Sequence, residues 1–193
     1  VLTGFHPMVD LSTTFHTQIV GNNGQRQAMF IERVSGLAEN VLQNFTFGPN
    51  DVYVGFSVSG SSALPVEMLN GAKARGLKTI AVTNVAGGGA MSRDADLVID
   101  LGVPEGDALI EVEGAEHRVG PVSTLIYVAV VNEIKVQTAA ILAREGVLPR
   151  VLTGAGVIGA EKSAAVFEAA YREHARRASR TLNGASPLEG GSD

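Results

Sequence analysis

The residues best suited to chemistry lie together in Phe56-Ser57-Val58-Ser59-Gly60-Ser61-Ser62-Ala63-Leu64-Pro65, where four serines fall within six positions. The stretch joins an apolar, β-branched run to a segment of helical spacing, so a strand-to-helix turn is expected there. A helix N-terminus offers unpaired N–H groups and the positive end of the helix dipole, which together bind anions. Ser57, Ser59 and Ser62 add hydroxyl donors, with Ser61 among them, and Gly60 lets the backbone approach a phosphate closely. Pro65 suits the first helical turn, where its missing N–H is not needed. A Ser-rich helix cap without a ligand is the plainer alternative, but a single Ser or Asp is enough to cap a helix. A nucleotide P-loop is excluded, because no Gly-Lys-Ser/Thr is present.

Proton transfer needs a carboxylate or imidazole of tuned pKa. His16 lies in the polar run Phe-His-Thr-Gln, and Glu133 interrupts an otherwise apolar helical stretch. The plainer readings are a surface or capping role for His16 and a structural ion pair for Glu133. Lys135 of a neighbouring chain would serve as the partner, because residues two apart on one helix do not face each other. Asp107, in Gly-Asp-Ala, reads as a turn residue. His6, His117 and His174 show no metal-ligand spacing, and neither a metal nor a cofactor is expected. Gly87-Gly88-Gly89 is either a mobile loop over a ligand or a simple connection. Arg172, Arg176, Arg177 and Arg180 give the last helix a basic edge, which reads as a solvated face rather than a nucleic-acid surface.

The elements that must position these groups follow from periodicity. Asp51–Phe56, Leu77–Thr83 and Ala95–Leu101 read as buried strands, with a weaker one near Val1–Val9. Phe30, Val34, Leu37, Val41 and Phe45 repeat at helical spacing, as do Leu64, Met68, Leu69 and Ala72 before a stop at Gly76. Ser123 to Glu145 is apolar on nearly every side and reads as a buried helix closed by Gly146, while Ala160–Leu182 is amphipathic. Ala108–Val112 suggests a small β excursion. Strands alternating with helices imply an α/β fold with a parallel sheet covered on both faces.

The chain of 193 residues is 45% hydrophobic and 18% charged, with 15 basic against 20 acidic residues. That balance excludes a disordered chain and argues against a broad nucleic-acid surface. The absence of cysteine excludes disulfides and thiolate chemistry. No unbroken apolar run approaches the roughly 18–20 residues that span a bilayer, and Val1–Met8 lacks the features of a secretory signal, so a cytoplasmic protein without a membrane partner is expected. A single domain over residues 1–182 with a disordered tail at 183–193 completes the expected organisation. The sequence starts at Val1 as though a strand were already under way, so the expected domain is N-terminally incomplete and lacks its first strand.

Ser57-Val-Ser-Gly-Ser-Ser62 at a strand end resembles the phosphate loop of the SIS (sugar isomerase) domain, Ser-x-Ser-Gly-x-Ser/Thr. Gly76-Leu-Lys-Thr-Ile-Ala-Val-Thr-Asn84, Ser92-Arg-Asp-Ala-Asp-Leu-Val-Ile-Asp100 and Gly120-Pro-Val-Ser-Thr124 resemble the family's later stretches. Phe15-His16, Glu32-Arg33 and Gly106-Asp107-Ala108 point to a phosphoheptose-isomerase-like subgroup. The likeness covers roughly residues 1–150. It implies a three-layer, flavodoxin-like α/β sandwich with a mainly parallel five-stranded sheet, and a homodimer or homotetramer. It also implies a phosphorylated sugar as ligand, held at Ser57, Val58, Ser59, Gly60, Ser61 and Ser62, with Asn84, Ser123 and Thr124 near the sugar. Aldose–ketose isomerisation is the implied activity, and non-catalytic phosphosugar sensing is the alternative. In the phosphoheptose isomerases the last core helix carries a Gln and, eight residues on, a His. Here those positions are Asn132 and Ala140, and the catalytic Glu of those enzymes would fall upstream of Val1.

Overall fold

The computed structural model describes residues 24–181, so His16, the weak strand expected near Val1–Val9 and the tail at 183–193 lie outside the described residues. Two compact units divide the chain, one ending at Ala129 and the other running on from Val130.

The first unit is a mixed α/β arrangement around a parallel sheet of β1 (Val52–Phe56), β2 (Lys78–Thr83) and β3 (Leu97–Asp100), in the order β1-β2-β3. Val, Ile and Thr fill these strands, the residue types that pack well on a pleated surface. Val54, Ile80 and Leu97 align across the sheet, as do Gly55, Ala81 and Val98. Parallel neighbours need crossovers. They are supplied by α3 (Ala63–Ala74) between β1 and β2 and by α4 (Ala90–Asp94) between β2 and β3. Leu69 of α3, Met91 of α4 and Ala81 of β2 are fully buried against the sheet face that carries Tyr53. The opposite face leaves Val52, Phe56 and Leu97 exposed among the described residues.

The helical pattern from Phe30 to Phe45 predicts one continuous face, yet the structure divides it into α1 (Gly24–Ile31) and α2 (Leu37–Leu42). Gly36 makes the break by adopting a φ of 84°, which side-chain-bearing residues rarely take. Glu67 of α3 holds the turn, accepting a hydrogen bond from the Ser35 hydroxyl and another from the Gly36 N–H at 2.8 Å. Beyond the break, Ala38, Val41 and Leu42 join Phe45 and Met68 in a second core cluster, while Phe30 is 71% exposed.

The short β excursion is β4 (Ala108–Ile110), paired antiparallel with β5 (Val119–Pro121). The helix α5 (Ser123–Arg144) forms over the expected residues, and Gly146 stops it, with the Val147 N–H donating to Leu142 O at 2.9 Å. The expected burial is not observed. Leu125, Val128, Val136 and Ile141 are all exposed, so an all-round apolar pattern tells that a helix needs cover without telling what supplies it. Its 22 residues also make α5 long and apolar enough on average to cross a bilayer, although no unbroken apolar run announced it. Glu133 and Lys135 fall at its midpoint, where each would cost about 2.5–3.5 kcal/mol in hydrocarbon, and this opposes insertion.

Within the second unit, α6 (Ala155–Ile158) packs with α7 (Ala160–Thr181), and the Ser163 hydroxyl donates to Thr153 O at 2.8 Å beside buried Leu152. Arg172 pairs with Glu168 and Arg177 with Glu173 along the surface of α7, which is how a solvated basic edge is arranged.

Candidate functional site

β1 ends at Phe56 and α3 begins at Ala63, so Ser57–Ser62 form the turn between them. The carbonyl side of this turn is tied down. Val58 O accepts from the Asn84 N–H at 3.0 Å and from the hydroxyl of fully buried Thr83 at 3.2 Å. Gly60 O accepts from the Met91 N–H at 3.0 Å, and the Ser57 N–H donates to Val82 O at 3.2 Å. Gly60 has a φ of 60°, and a Cβ placed on it would come within 2.6 Å of the Thr83 hydroxyl. Gly89, which precedes α4, meets the loop at closer range still: a Cβ there would lie 2.1 Å from Ser59 O. The third glycine of Gly87-Gly88-Gly89 therefore packs backbone against backbone, whereas Gly87 and Gly88 have open space around them.

With the carbonyls held on one side, the N–H groups of Val58, Ser59 and Ser62 meet no acceptor among the described residues. The Ser57 hydroxyl oxygen accepts from the Gly60 N–H at 3.2 Å, and that of Ser59 accepts from the Ser61 N–H at 3.3 Å. Each of these two hydroxyls thus retains its own proton to donate. Ser62 occupies the N-cap of α3, yet its side chain makes no capping bond. The first turn of α3 is served instead by Glu32 O, which accepts from the Leu64 N–H at 2.9 Å. Capping therefore does not account for the serines.

Beside the loop opens a cleft of about 660 Å³, whose walls include Ser57, Val58, Ser59 and Ser62. That volume lies within the usual range for small-molecule sites. Phe56, Leu64 and Pro65 supply apolar surface, and Glu32, Gly106 and Asp107 complete the lining. Gly60 is buried beneath the loop, and the Ser61 hydroxyl donates to Ser59 O at 3.1 Å, so neither faces the cleft. Asn84 is buried, with Oδ1 lacking a partner, and supports the loop through its main chain. Ser123 is buried behind Asp107, and Thr124 is not in the lining. Glu133 belongs to the other unit, where it is exposed and accepts from Gln137 Nε2 at 2.7 Å.

Two acidic residues line the cleft that spacing alone did not place there. Asp107 is a turn residue as expected, with a φ of 67°, the single positive value outside glycine among the described residues. Its carboxylate also caps α5, accepting from the Val122 N–H at 3.2 Å, the Ser123 N–H at 2.8 Å and the Ser123 hydroxyl. Tyr127 packs edge-on against Phe56 with ring centroids 5.3 Å apart. Burial first, and the Asp107 charge second, push its hydroxyl up to about 12. Glu32 arrives from a distant stretch of sequence through the Leu64 bond. Arg33 Nε lies 3.9 Å from its carboxylate, a loose and exposed pair. No metal-binding cluster of His, Asp or Glu occurs among the described residues.

The SIS-domain family matches residues 1–84, a stretch that includes β1, the serine-rich turn and β2. The chain is similar to the UPF0309 protein of Brucella abortus (strain S19), 32% identical over 163 residues, covering 81% of this chain and 67% of that protein. It is also similar to the UPF0309 protein of Brucella anthropi, 33% identical over 154 residues, or 74% of this chain and 64% of that one. The match to the Brucella canis UPF0309 protein is 34% over 138 residues, covering 68% and 57%. The chain belongs to the UPF0309 family of SIS-domain proteins. It spans about two thirds or less of the length of these relatives.

Proposed function

We propose that residues 1–182 belong to a phosphosugar-binding domain of five-stranded, three-layer SIS fold, and that it isomerises aldose and ketose phosphates. The observation that carries this reading is the one-sided fastening of the serine loop. Its carbonyls are bonded to β2 and α4, while the N–H groups of Val58, Ser59 and Ser62 and the hydroxyls of Ser57, Ser59 and Ser62 are left beside an open cleft. A phosphate dianion matches such a donor array, because it accepts several hydrogen bonds and is favoured at a helix N-terminus. The SIS-family match supports a sugar as the body of the ester. Gly60 and Ser61 shape the loop, and the SIS resemblance places Asn84, Ser123 and Thr124 toward the sugar. Asn132 and Ala140 favour a second reading, a binding or sensing protein without turnover, because they stand where the phosphoheptose isomerases carry a Gln and a His.

Calorimetric titration of the full chain with hexose, pentose and heptose monophosphates, each beside its unphosphorylated sugar, tests the binding. Chromatography of the same mixtures follows conversion. Phosphate-dependent binding with interconversion is expected. Binding without conversion selects the sensor, and equal response to phosphorylated and unphosphorylated sugars overturns both readings.

A further inference from the structure

The last turns of α7 set a hydroxyl among arginines. The run is Arg176-Arg177-Ala178-Ser179-Arg180, so Ser179 has arginine three and two residues before it and one directly after. No other serine or threonine of the chain has arginine at both of the earlier positions. Arg33 stands two before Ser35, and Arg150 three before Thr153, but each lacks the second guanidinium. Ser179 is exposed, and its hydroxyl donates within its own turn, to Arg176 O at 3.0 Å. Ser163 of the same helix is the contrast, 6% exposed and donating to Thr153 O. Arg176 and Arg180 are exposed and form no ion pair among the described residues, whereas Arg177 Nε lies 3.7 Å from Glu173.

The position along the helix matters as much as the composition. Ser179 lies two residues before α7 ends at Thr181. The last carbonyls of a helix lack intrahelical partners, so this end opens at the least cost. Once opened, Arg-Arg-Ala-Ser is an extended segment with two guanidinium groups ahead of a free hydroxyl. A groove that carries carboxylates recognises such guanidinium groups by charge-assisted, bidentate hydrogen bonds. An enzyme that holds arginines in this way and delivers the following hydroxyl to ATP is a basophilic protein kinase.

We infer that Ser179 is a phosphorylation site, the acceptor for a serine/threonine kinase that reads Arg176 and Arg177. Ser179 Oγ attacks the γ-phosphorus of ATP. The bond from that phosphorus to the bridging oxygen breaks, its electron pair leaves on ADP, and the hydroxyl proton passes to the kinase's catalytic aspartate. The phosphoserine carries a charge of about −1.5 to −2 at neutral pH. Between Arg172 and Arg180 four arginines face one acid, Glu173, so the modification cancels at least half of the net positive charge of this edge. Arg176, three residues before Ser179 on the same face, is spaced to pair with the new phosphate.

The test incubates the full chain with ATP and the catalytic subunit of the cyclic-AMP-dependent protein kinase, in wild type, Ser179→Ala, Arg176→Ala and Arg176→Lys. Intact-mass measurement follows the rate, and tandem mass spectrometry locates the phosphoryl group. Wild type is expected to gain one phosphoryl group, on Ser179, and S179A to gain none under the same conditions. R176A should react at least about tenfold more slowly through the loss of one charge-assisted contact. R176K, which keeps the charge, should recover part of the rate and so separates recognition from damage to the helix. Wild type that gains no phosphoryl group, or gains it on another residue, overturns the inference. So does a rate in R176A equal to that of wild type, or one in R176K no better than in R176A.

Discussion

Alanine at Gly89 is the sharpest probe of how the loop is held. The φ of Gly89 is −61°, comfortable for any residue, so glycine is needed there only for space. An added Cβ would sit 2.1 Å from Ser59 O and 2.8 Å from Gly60 C, where ordinary contact begins at 3.4 Å. The obstacle is backbone, so the loop must retreat by about 1 Å rather than rotate a side chain aside. That movement strains two bonds, the Ser61 hydroxyl to Ser59 O at 3.1 Å and the Met91 N–H to Gly60 O at 3.0 Å. At about 1 kcal/mol each, added to about 1–3 kcal/mol for overpacking, G89A is expected to cost about 3–5 kcal/mol. In a chain of this length each kcal/mol lowers Tm by roughly 2–4 °C. G87A is the control, since a Cβ at Gly87 meets nothing within 4 Å. Both substitutions lower the entropy of the unfolded chain alike, so their difference isolates the contact. Thermal unfolding and sugar-phosphate titration of the two variants read the result. Equal midpoints and equal affinity in G89A and G87A would refute the claim that Gly89 sets the position of the loop.

Ser62→Ala should change stability by less than about 0.5 kcal/mol, because the hydroxyl makes no capping bond, while weakening sugar-phosphate binding about tenfold; denaturant midpoints and calorimetry check the pair. Asp107→Asn is expected to keep most of the stability, since Asn tolerates a φ of 67° and still accepts N–H bonds, whereas Asp107→Ala should lose about 2–3 kcal/mol in urea unfolding through the lost cap and the strained backbone. Acid should destabilise the protein. Thr79 N–H and hydroxyl bonds, then Lys73, hold the Asp96 carboxyl below its ordinary value; Arg75 and Gln43 do so for Glu39, and the Val85 and Gly102 N–H groups for Asp100. Each favours the ionised form in the folded state, so its contribution is complete above the ordinary carboxyl range and vanishes as pH falls through the lowered values. Midpoints should be flat down to about pH 5 and fall below about pH 4, with a shallower fall in Asp96→Asn.

The strands and the serine turn were legible because both depend on local order. Val, Ile and Thr runs bounded by turn residues fix β1, β2 and β3 to within a residue or two, and a Ser-Gly-Ser cluster between strand and helix has few other uses. The split of α1 from α2 was not legible, since helical spacing persists across Gly36 and only the φ there, held by Glu67, breaks it. β5 gave no signal because Val-Gly-Pro contains two residues that weaken strands. Glu32 and Ser123 show the deeper limit. The place of Glu32 is set by a bond from Leu64, and the engagement of Ser123 by a carboxylate sixteen positions earlier in the chain. Neither pairing leaves a short-range spacing to read. The apolar pattern of α5 likewise described its composition faithfully and its surroundings not at all.

A crystal structure of the chain soaked with a sugar monophosphate is the most direct examination of the site. The phosphoryl oxygens should lie within hydrogen-bond distance of the Ser57, Ser59 and Ser62 hydroxyls and the Val58 and Ser59 N–H groups, with the carbon skeleton in the cleft beside the loop. A phosphoryl group bound elsewhere, with the serine turn empty beside it, would contradict the account.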